Sequence, residues 1–279
     1  MSEKLSIQDS TRWDQSAGPY DAATRGFTAK YARDALDLAS IASGMEVLDV
    51  AAGTGALSLE AARQGAEVLA TDFSIGMLRV LGSRARAEGL SNLRIAVMDG
   101  QALDLEDEAF DRAFSMFGLM LFPDLAAGFR ELHRVVRPRG RAVVGVWTEA
   151  RNELIQLFGE ALQRGVPTHS AAATGPAGAA EVPWAAIATP EGLTAAMSTA
   201  GFDAVRVFTV RHLWTFESPS WLWSHLPRMS PGTANVFESL DDGKTAALEA
   251  AFHEVFRERL GRGPFALAGD AHLGVGFRV

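Results

Sequence analysis

A chain of 279 residues, 48% hydrophobic and 22% charged, can bury a sizeable core, either as one large domain or as a core with a smaller appendage. It has no cysteine, which excludes a disulfide framework or thiolate metal site. No apolar run approaches the roughly 20 residues that span a bilayer, and the opening MSEKLSIQDSTRW lacks the apolar stretch of a secretory signal, so a cytoplasmic protein with no membrane partner is expected. A formal net charge of -8 opposes binding to a phosphate backbone, and nucleic acid is not expected as a partner.

Residues 1–44 read as an N-terminal helical segment, with a helix over about 22–42 packing across the top of the first strand. Between 45 and 150, the runs MEVLDV, AEVLATD, NLRIAVMD, FDRAFSMF and RAVVGVW alternate with helix-length segments. That is the pattern of an α/β, doubly wound parallel sheet covered by helices on both faces. Ser74 is a plausible N-cap for a helix that carries Met77, Leu78, Leu81 and Ala85 on one face and ends at Gly89. A second helix is predicted from Pro123 to Arg137, starting at proline and stopping at Pro138. His133 lies off its apolar stripe and is expected in solvent, as are Arg134, Arg137, Arg139 and Arg141 around the following turn.

The remainder, 151–279, reads as a cap plus the last sheet strands. After a helix near 152–164, the stretch VPTHSAAATGPAGAAEVPWAAIATP has no periodicity and is read as a mobile lid over about 166–184. A helix over 190–200, the β-rich FDAVRVFTVRHLWTF, the Trp-rich SPSWLWSHLPRM, a helix over 241–260 and the strand-like HLGVGFRV follow. His212 is expected to pack with Phe208, Val210 and Trp214.

The chemistry concentrates in VLDVAAGTGALSLEAA, where a strand ending in Asp49 passes through a small-residue turn with Gly53 and Gly55 into a helix. Small side chains let the backbone approach a ligand, and the helix start offers free N–H groups. The next strand ends in Asp72, within reach of ribose hydroxyls. A dinucleotide fingerprint would need a third glycine where Ala56, Leu57 and Ser58 stand. Asp49 would also repel a pyrophosphate, whereas it would attract a cation.

On these residues the stretch 45–147 resembles the class I S-adenosylmethionine (SAM)-dependent methyltransferases, in particular the small-molecule group similar to the ubiquinone/menaquinone-biosynthesis enzymes. The resemblance implies a seven-stranded, mostly parallel, Rossmann-like sheet with a cap in the C-terminal half. It implies SAM as cofactor, with S-adenosylhomocysteine as product. The glycine motif falls on Asp49, Ala51, Gly53 and Gly55, with Ala51 replacing the first glycine. The ribose acid falls on Asp72 within DFSIGML, with Phe73 and Met77 beside the adenine, although Met77 could equally be core. Asp99 falls where the adenine amino group is read, with Gly100 and Gln101 beside it, and Ser115, Met116 and Phe117 fall near the methyl-donor end.

For the acceptor, Trp184, Trp214, Trp221 and Trp223 fall in the 151–279 part beside the lid, and Trp221, Leu222, His225, Leu226 and Met229 would share a helical face, suiting a planar or apolar molecule or an amine held by cation–π contact. Packing of the cap onto the core explains these tryptophans equally well. Methyl transfer from a sulfonium needs no metal, and a base only for some acceptors; His225 and then His169 are the candidates. The asparagine-proline-proline-aromatic signature of enzymes that methylate amino groups of macromolecules is absent, with FSMFGLMLFPD in its place. The leading expectation is methylation of a small acceptor on carbon, nitrogen or oxygen by a monomer or homodimer. Behind it stand a SAM site diverted to other chemistry, a non-catalytic SAM-binding module and, more distantly, a nicotinamide oxidoreductase.

Overall fold

The computed structural model describes residues 8–167, 183–263 and 265–279. His169 and most of the expected lid lie outside these residues. The strands are β1 (Glu46–Val50), β2 (Glu67–Asp72), β3 (Leu93–Val97), β4 (Phe110–Met116), β5 (Val136–Asn152), β6 (Asp203–Phe216) and β7 (Phe265–Phe277). They form one seven-stranded sheet in the order β3-β2-β1-β4-β5-β7-β6. Each of the first five pairs in parallel with its neighbours among them, while β7 runs antiparallel to both β5 and β6. The order reverses between β1 and β4, which opens a crevice at the carboxyl ends of those strands.

Successive strand residues point to opposite faces, so alternate apolar positions feed two cores. Val47 and Val143 pack with Ala35 and Leu36 on one face, and Leu48 and Val144 pack with Phe129 and Leu132 on the other. The covering helices are α1 (Ser10–Ala39), α2 (Ala56–Arg63), α3 (Ile75–Ala87), α4 (Leu125–Val135), α5 (Glu153–Gly165), α6 (Pro190–Thr199), α7 (Pro219–Met229), α8 (Pro231–Glu238) and α9 (Asp242–Leu260). Among the described residues, no helix is long and apolar enough to cross a membrane.

Three expectations are corrected. Helix α1 begins twelve residues earlier than the predicted start at 22, capped by Asp9, whose carboxylate accepts from Thr11 N, and it carries Pro19 in its interior. Gly18-Pro19 reads locally as a stop, but tertiary packing of the flanking turns outweighs one lost backbone hydrogen bond. Helix α4 is capped by Asp124, which accepts from Ala127 N, and stops at Val135 because β5 already starts at Val136. His133 is half-buried, edge-on to Phe202, and that burial holds its pKa below the usual range.

The arginines expected in free solvent are mostly tied down as well. Arg134 donates to Glu131, Asp107 and the carbonyls of Leu103 and Leu105; Arg137 pairs with Asp111; Arg141 lies over the Phe277 ring and donates to Ser40. His212 joins Asp34 at 2.6 Å and meets the Tyr31 ring edge-on, so it serves the seam between β6 and α1.

Helix α1 is also tied to the start of α3. Asp14 Oδ1 accepts from Ser74 Oγ at 2.5 Å and from Gly76 N at 2.7 Å. A Cβ on Gly76 would fall 2.5 Å from Asp14 Cα, so glycine is what allows the approach. Asp14→Ala is expected to cost about 1–2 kcal/mol, seen as a fall of about 3–6 °C in the thermal unfolding midpoint. An unchanged midpoint would mean that this tie contributes nothing.

Candidate functional site

The carboxyl end of β1 turns sharply through residues 51–55 into α2, with positive φ at Ala51 (56°), Gly53 (56°) and Gly55 (85°). Glycine takes this conformation freely, and Ala51 takes it at a cost of about 1–2 kcal/mol. The turn is held from the neighbouring strand: Ala52 N donates to Thr71 O at 2.9 Å and Gly53 N to Asp72 Oδ2 at 2.8 Å. The other Asp72 oxygen accepts from Ser74 N at 2.9 Å. Burial pushes the Asp72 pKa up to about 6, aided by the charge of Asp14 and opposed by those two N–H donors. Asp49, only 1% exposed, is pushed up to about 7 by burial despite the hydroxyl of Ser58, which donates to it at 2.5 Å.

Above this turn lies a cavity of about 330 Å³. The expected cofactor residues Ala51, Gly53, Asp72, Phe73 and Met77 line one part of it, and Asp99, Gly100 and Gln101 another. Gln101 steadies Asp99 through its backbone N–H at 2.9 Å and its Nε2 at 3.0 Å. Among the described lining residues none is Lys, Arg or His, while two are carboxylates, so the cavity favours a cationic ligand.

Three of the expected contacts stand behind the wall instead. Asp49 faces Ser58 beneath the turn. A Cβ on Gly55 would meet Leu81 Cδ1 at 2.1 Å, so this residue serves the packing of α2 against α3. Ser115, fully buried, accepts from Leu119 N at 3.0 Å and so caps the short turn after β4.

A second cavity, of about 190 Å³, adjoins the first. Trp13, Tyr20, Phe117 and Leu121 line both, so they frame the aperture between them. No described lining residue of the second cavity is charged. One side is an aromatic ladder: Phe117 stacks on Trp147 with ring centroids 3.7 Å apart, Trp147 on Phe27 at 5.7 Å and Phe27 on Trp214 at 5.8 Å. Phe117 has a φ of 63°, an outlier for a bulky residue, and is held there by Trp147 and by its N–H to Gly145 O at 2.8 Å. Tyr20 titrates above the usual tyrosine range because it is buried, so its hydroxyl is neutral at physiological pH.

Of the expected acceptor residues, Phe117 is at the aperture and Met116 lines the first cavity alone. Trp184, Trp221, Trp223 and His225 line neither cavity. Trp184 is 5% exposed within the main core, and Trp223 packs on Phe237 and Phe252. Trp221 stacks on His225, whose Nδ1 meets the Trp221 carbonyl at 2.7 Å. The inward face of α7 is Leu222, Leu226 and Met229, of which the last two reach the second cavity, while Trp221 and His225 flank that face. Sequence reasoning missed Trp13 and Tyr20. Their signal is the seven-residue spacing of Trp13, Tyr20 and Phe27, a helical stripe interrupted only by the Gly18-Pro19 pair.

Residues 47–140 match the family model described as a methyltransferase domain. The demethylmenaquinone methyltransferase of Corynebacterium kroppenstedtii is 40% identical over 129 residues, 45% of this chain and 52% of that protein. The chain thus spans about half the length of that curated relative. Two solved structures share the fold. The YcgJ protein of Bacillus subtilis has a TM-score of 0.55 at 18% identity, over 88% of this chain and 98% of its own. The phosphoethanolamine N-methyltransferase 2 of Haemonchus contortus, in complex with S-adenosyl-L-methionine, has a TM-score of 0.55 at 16% identity, over 89% and 52%.

Proposed function

We propose that this chain, whose residues 47–140 match a methyltransferase domain, transfers the methyl group of SAM to a small, largely apolar or aromatic molecule. The observation that carries this reading is the pair of adjoining cavities, one walled by carboxylates and one uncharged, meeting at Tyr20 and Phe117. The first suits the nucleoside and amino-acid parts of the cofactor. Asp72 keeps lone pairs for ribose hydroxyls, Phe73 and Met77 flank the adenine, and Asp99 takes its amino group. Asp49 acts from behind the turn, as a negative charge that attracts the ammonium and sulfonium.

In-line displacement asks the protein for alignment and exclusion of water, and the apolar frame of Trp13, Phe117 and Leu121 supplies both. No histidine or carboxylate lines the second cavity among the described residues. Calorimetry tests the reading. SAM and S-adenosylhomocysteine are expected to bind with micromolar Kd, about -8 kcal/mol, and NAD to give no heat.

The same titration has a pH signature. Asp72, at about 6, and Asp49, at about 7, lose their protons between pH 5.5 and 7.5, so affinity for the cationic ligand rises by about tenfold across that window. Above about pH 8 the ligand's own α-amino group deprotonates and the gain stops. Tight NAD binding, or a SAM affinity that ignores pH, would overturn the assignment of the first cavity.

A further inference from the structure

The uncharged cavity has one wall with a defined hydrogen-bonding polarity, and it belongs to α1. Tyr20, Thr24, Phe27 and Thr28 line it at helical spacing. Both threonine hydroxyls spend their only hydrogen on the helix itself: Thr24 Oγ1 donates to Tyr20 O at 2.8 Å and Thr28 Oγ1 to Thr24 O at 3.1 Å. A hydroxyl has one hydrogen and two lone pairs, so toward a ligand these two side chains can only accept, and the Thr24 hydroxyl is shared with the side chain of Tyr20. Across the cavity, Ser230 and Thr233 are tied to each other in a reciprocal cap, each side chain accepting from the other's backbone N–H at 3.1 Å. The remaining surface is the ladder of Trp147, Phe27 and Trp214, the rings of Trp13, Phe117 and Phe158, aliphatic side chains, and Asn152, whose Oδ1 accepts from Ile155 N at 3.3 Å.

We propose that Thr24 and Thr28 are the specificity-determining residues of the second cavity. They select an uncharged aromatic molecule that carries an O–H or N–H donor and hold it against the Trp147–Phe27–Trp214 ladder. This rests on reading the second cavity as the acceptor site, and it adds which residues choose the acceptor and by what property. A charged ligand would be stripped of water with no counter-charge in the wall, and an aromatic ligand without a donor would leave the threonine lone pairs unmatched. The wall therefore discriminates on two sides, against charge and against the missing donor.

The test uses indole, N-methylindole and indole carboxylate as probes, titrated into the full chain without cofactor and followed by ligand-observed NMR. Indole is expected to bind at least fivefold more tightly than N-methylindole, and the carboxylate at least tenfold more weakly than indole. In Thr28→Val, which keeps the branched shape, the preference for indole should shrink to within twofold while N-methylindole binds as before. Thr28→Ser should keep the preference, and Thr24→Val with Thr28→Val should abolish it. Thermal melts confirm that each variant is folded. A preference that survives the double substitution, equal binding of the carboxylate, or no binding of any probe would overturn the proposal. Since no cofactor is present, these outcomes are independent of whether SAM binds the first cavity.

Discussion

Asp49→Asn is expected to weaken SAM binding by tenfold or more and, in the cofactor-free protein, to raise stability at pH 8. The two effects have one cause. Asp49 is 1% exposed, its pKa is raised to about 7, and its hydrogen-bond donor is the neutral hydroxyl of Ser58. A folded-state pKa above the unfolded value of 3.8 means that the folded protein holds a proton the unfolded chain releases. Stability from this group therefore falls as pH rises from about 4 to 7, and above 7 the folded protein bears the full cost of a buried charge. At about 1.4 kcal/mol per pKa unit the cost is on the order of 4 kcal/mol. Asparagine keeps an oxygen for Ser58 and carries no charge. Urea unfolding should thus find the variant more stable by about 2–4 kcal/mol at pH 8 and nearly equal to the parent at pH 4. A variant less stable than the parent at pH 8 would show that Asp49 is not under strain from burial.

The second large effect is expected at Gly118. Its backbone, with φ -93° and ψ -51°, suits any residue, but a Cβ there would stand 2.3 Å from Ala51 Cβ and 3.1 Å from Ala51 O. Ala51 occupies the position where the family motif has its first glycine, and Gly118 supplies the missing space from the opposite strand end. Gly118→Ala should push the β1 turn away from the segment after β4, at a cost of about 2 kcal/mol in stability and about tenfold or more in methyl-transfer rate, because a displacement of 1 Å at the transfer point is felt strongly. Ala51→Gly in the same protein should restore both. Strictly additive effects of the two substitutions would show that these residues do not share one space.

The sheet was legible because its alternation of short apolar runs and helices is local, and the strands from MEVLDV to RAVVGVW are where the pattern puts them. The glycine turn was legible for the same reason: Asp72 ends its strand and Gly53 and Asp99 lie close after theirs, so the sheet order carries them to one crevice. The second cavity was not. Its walls come from α1, from Trp147 in β5, from Trp214 in β6 and from α7, segments brought together only by tertiary packing. The tryptophan count pointed to the C-terminal half, whereas Trp13, Tyr20, Thr24, Phe27 and Thr28 of α1 form much of the lining; amphipathic periodicity does not say which side of α7 faces a cavity and which faces α9, and Trp221 and Trp223 fall outside the lining. Ser115, which the resemblance puts at the methyl-donor end, is instead buried, with its hydroxyl used by the next turn.

Helix α1 runs for 30 residues, about 45 Å. Near its start it grips α3 through Asp14, and farther along it grips β6 and β7 through Lys30 to Leu213 O, Asp34 to His212 and Tyr31 to Gly269 O. Between those anchorages sit Tyr20, Thr24 and Thr28. Asp21 adds a third tie from within that stretch, to Arg84 at 2.8 Å, and Arg84 in turn donates to Thr54 O in the glycine turn, so the wall that the two cavities share is set by one helix anchored along its length. Exchanging Thr24 and Thr28, which line the second cavity alone, would alter what that cavity accepts while leaving the lining of the first in place, whereas a change at Tyr20 would alter both.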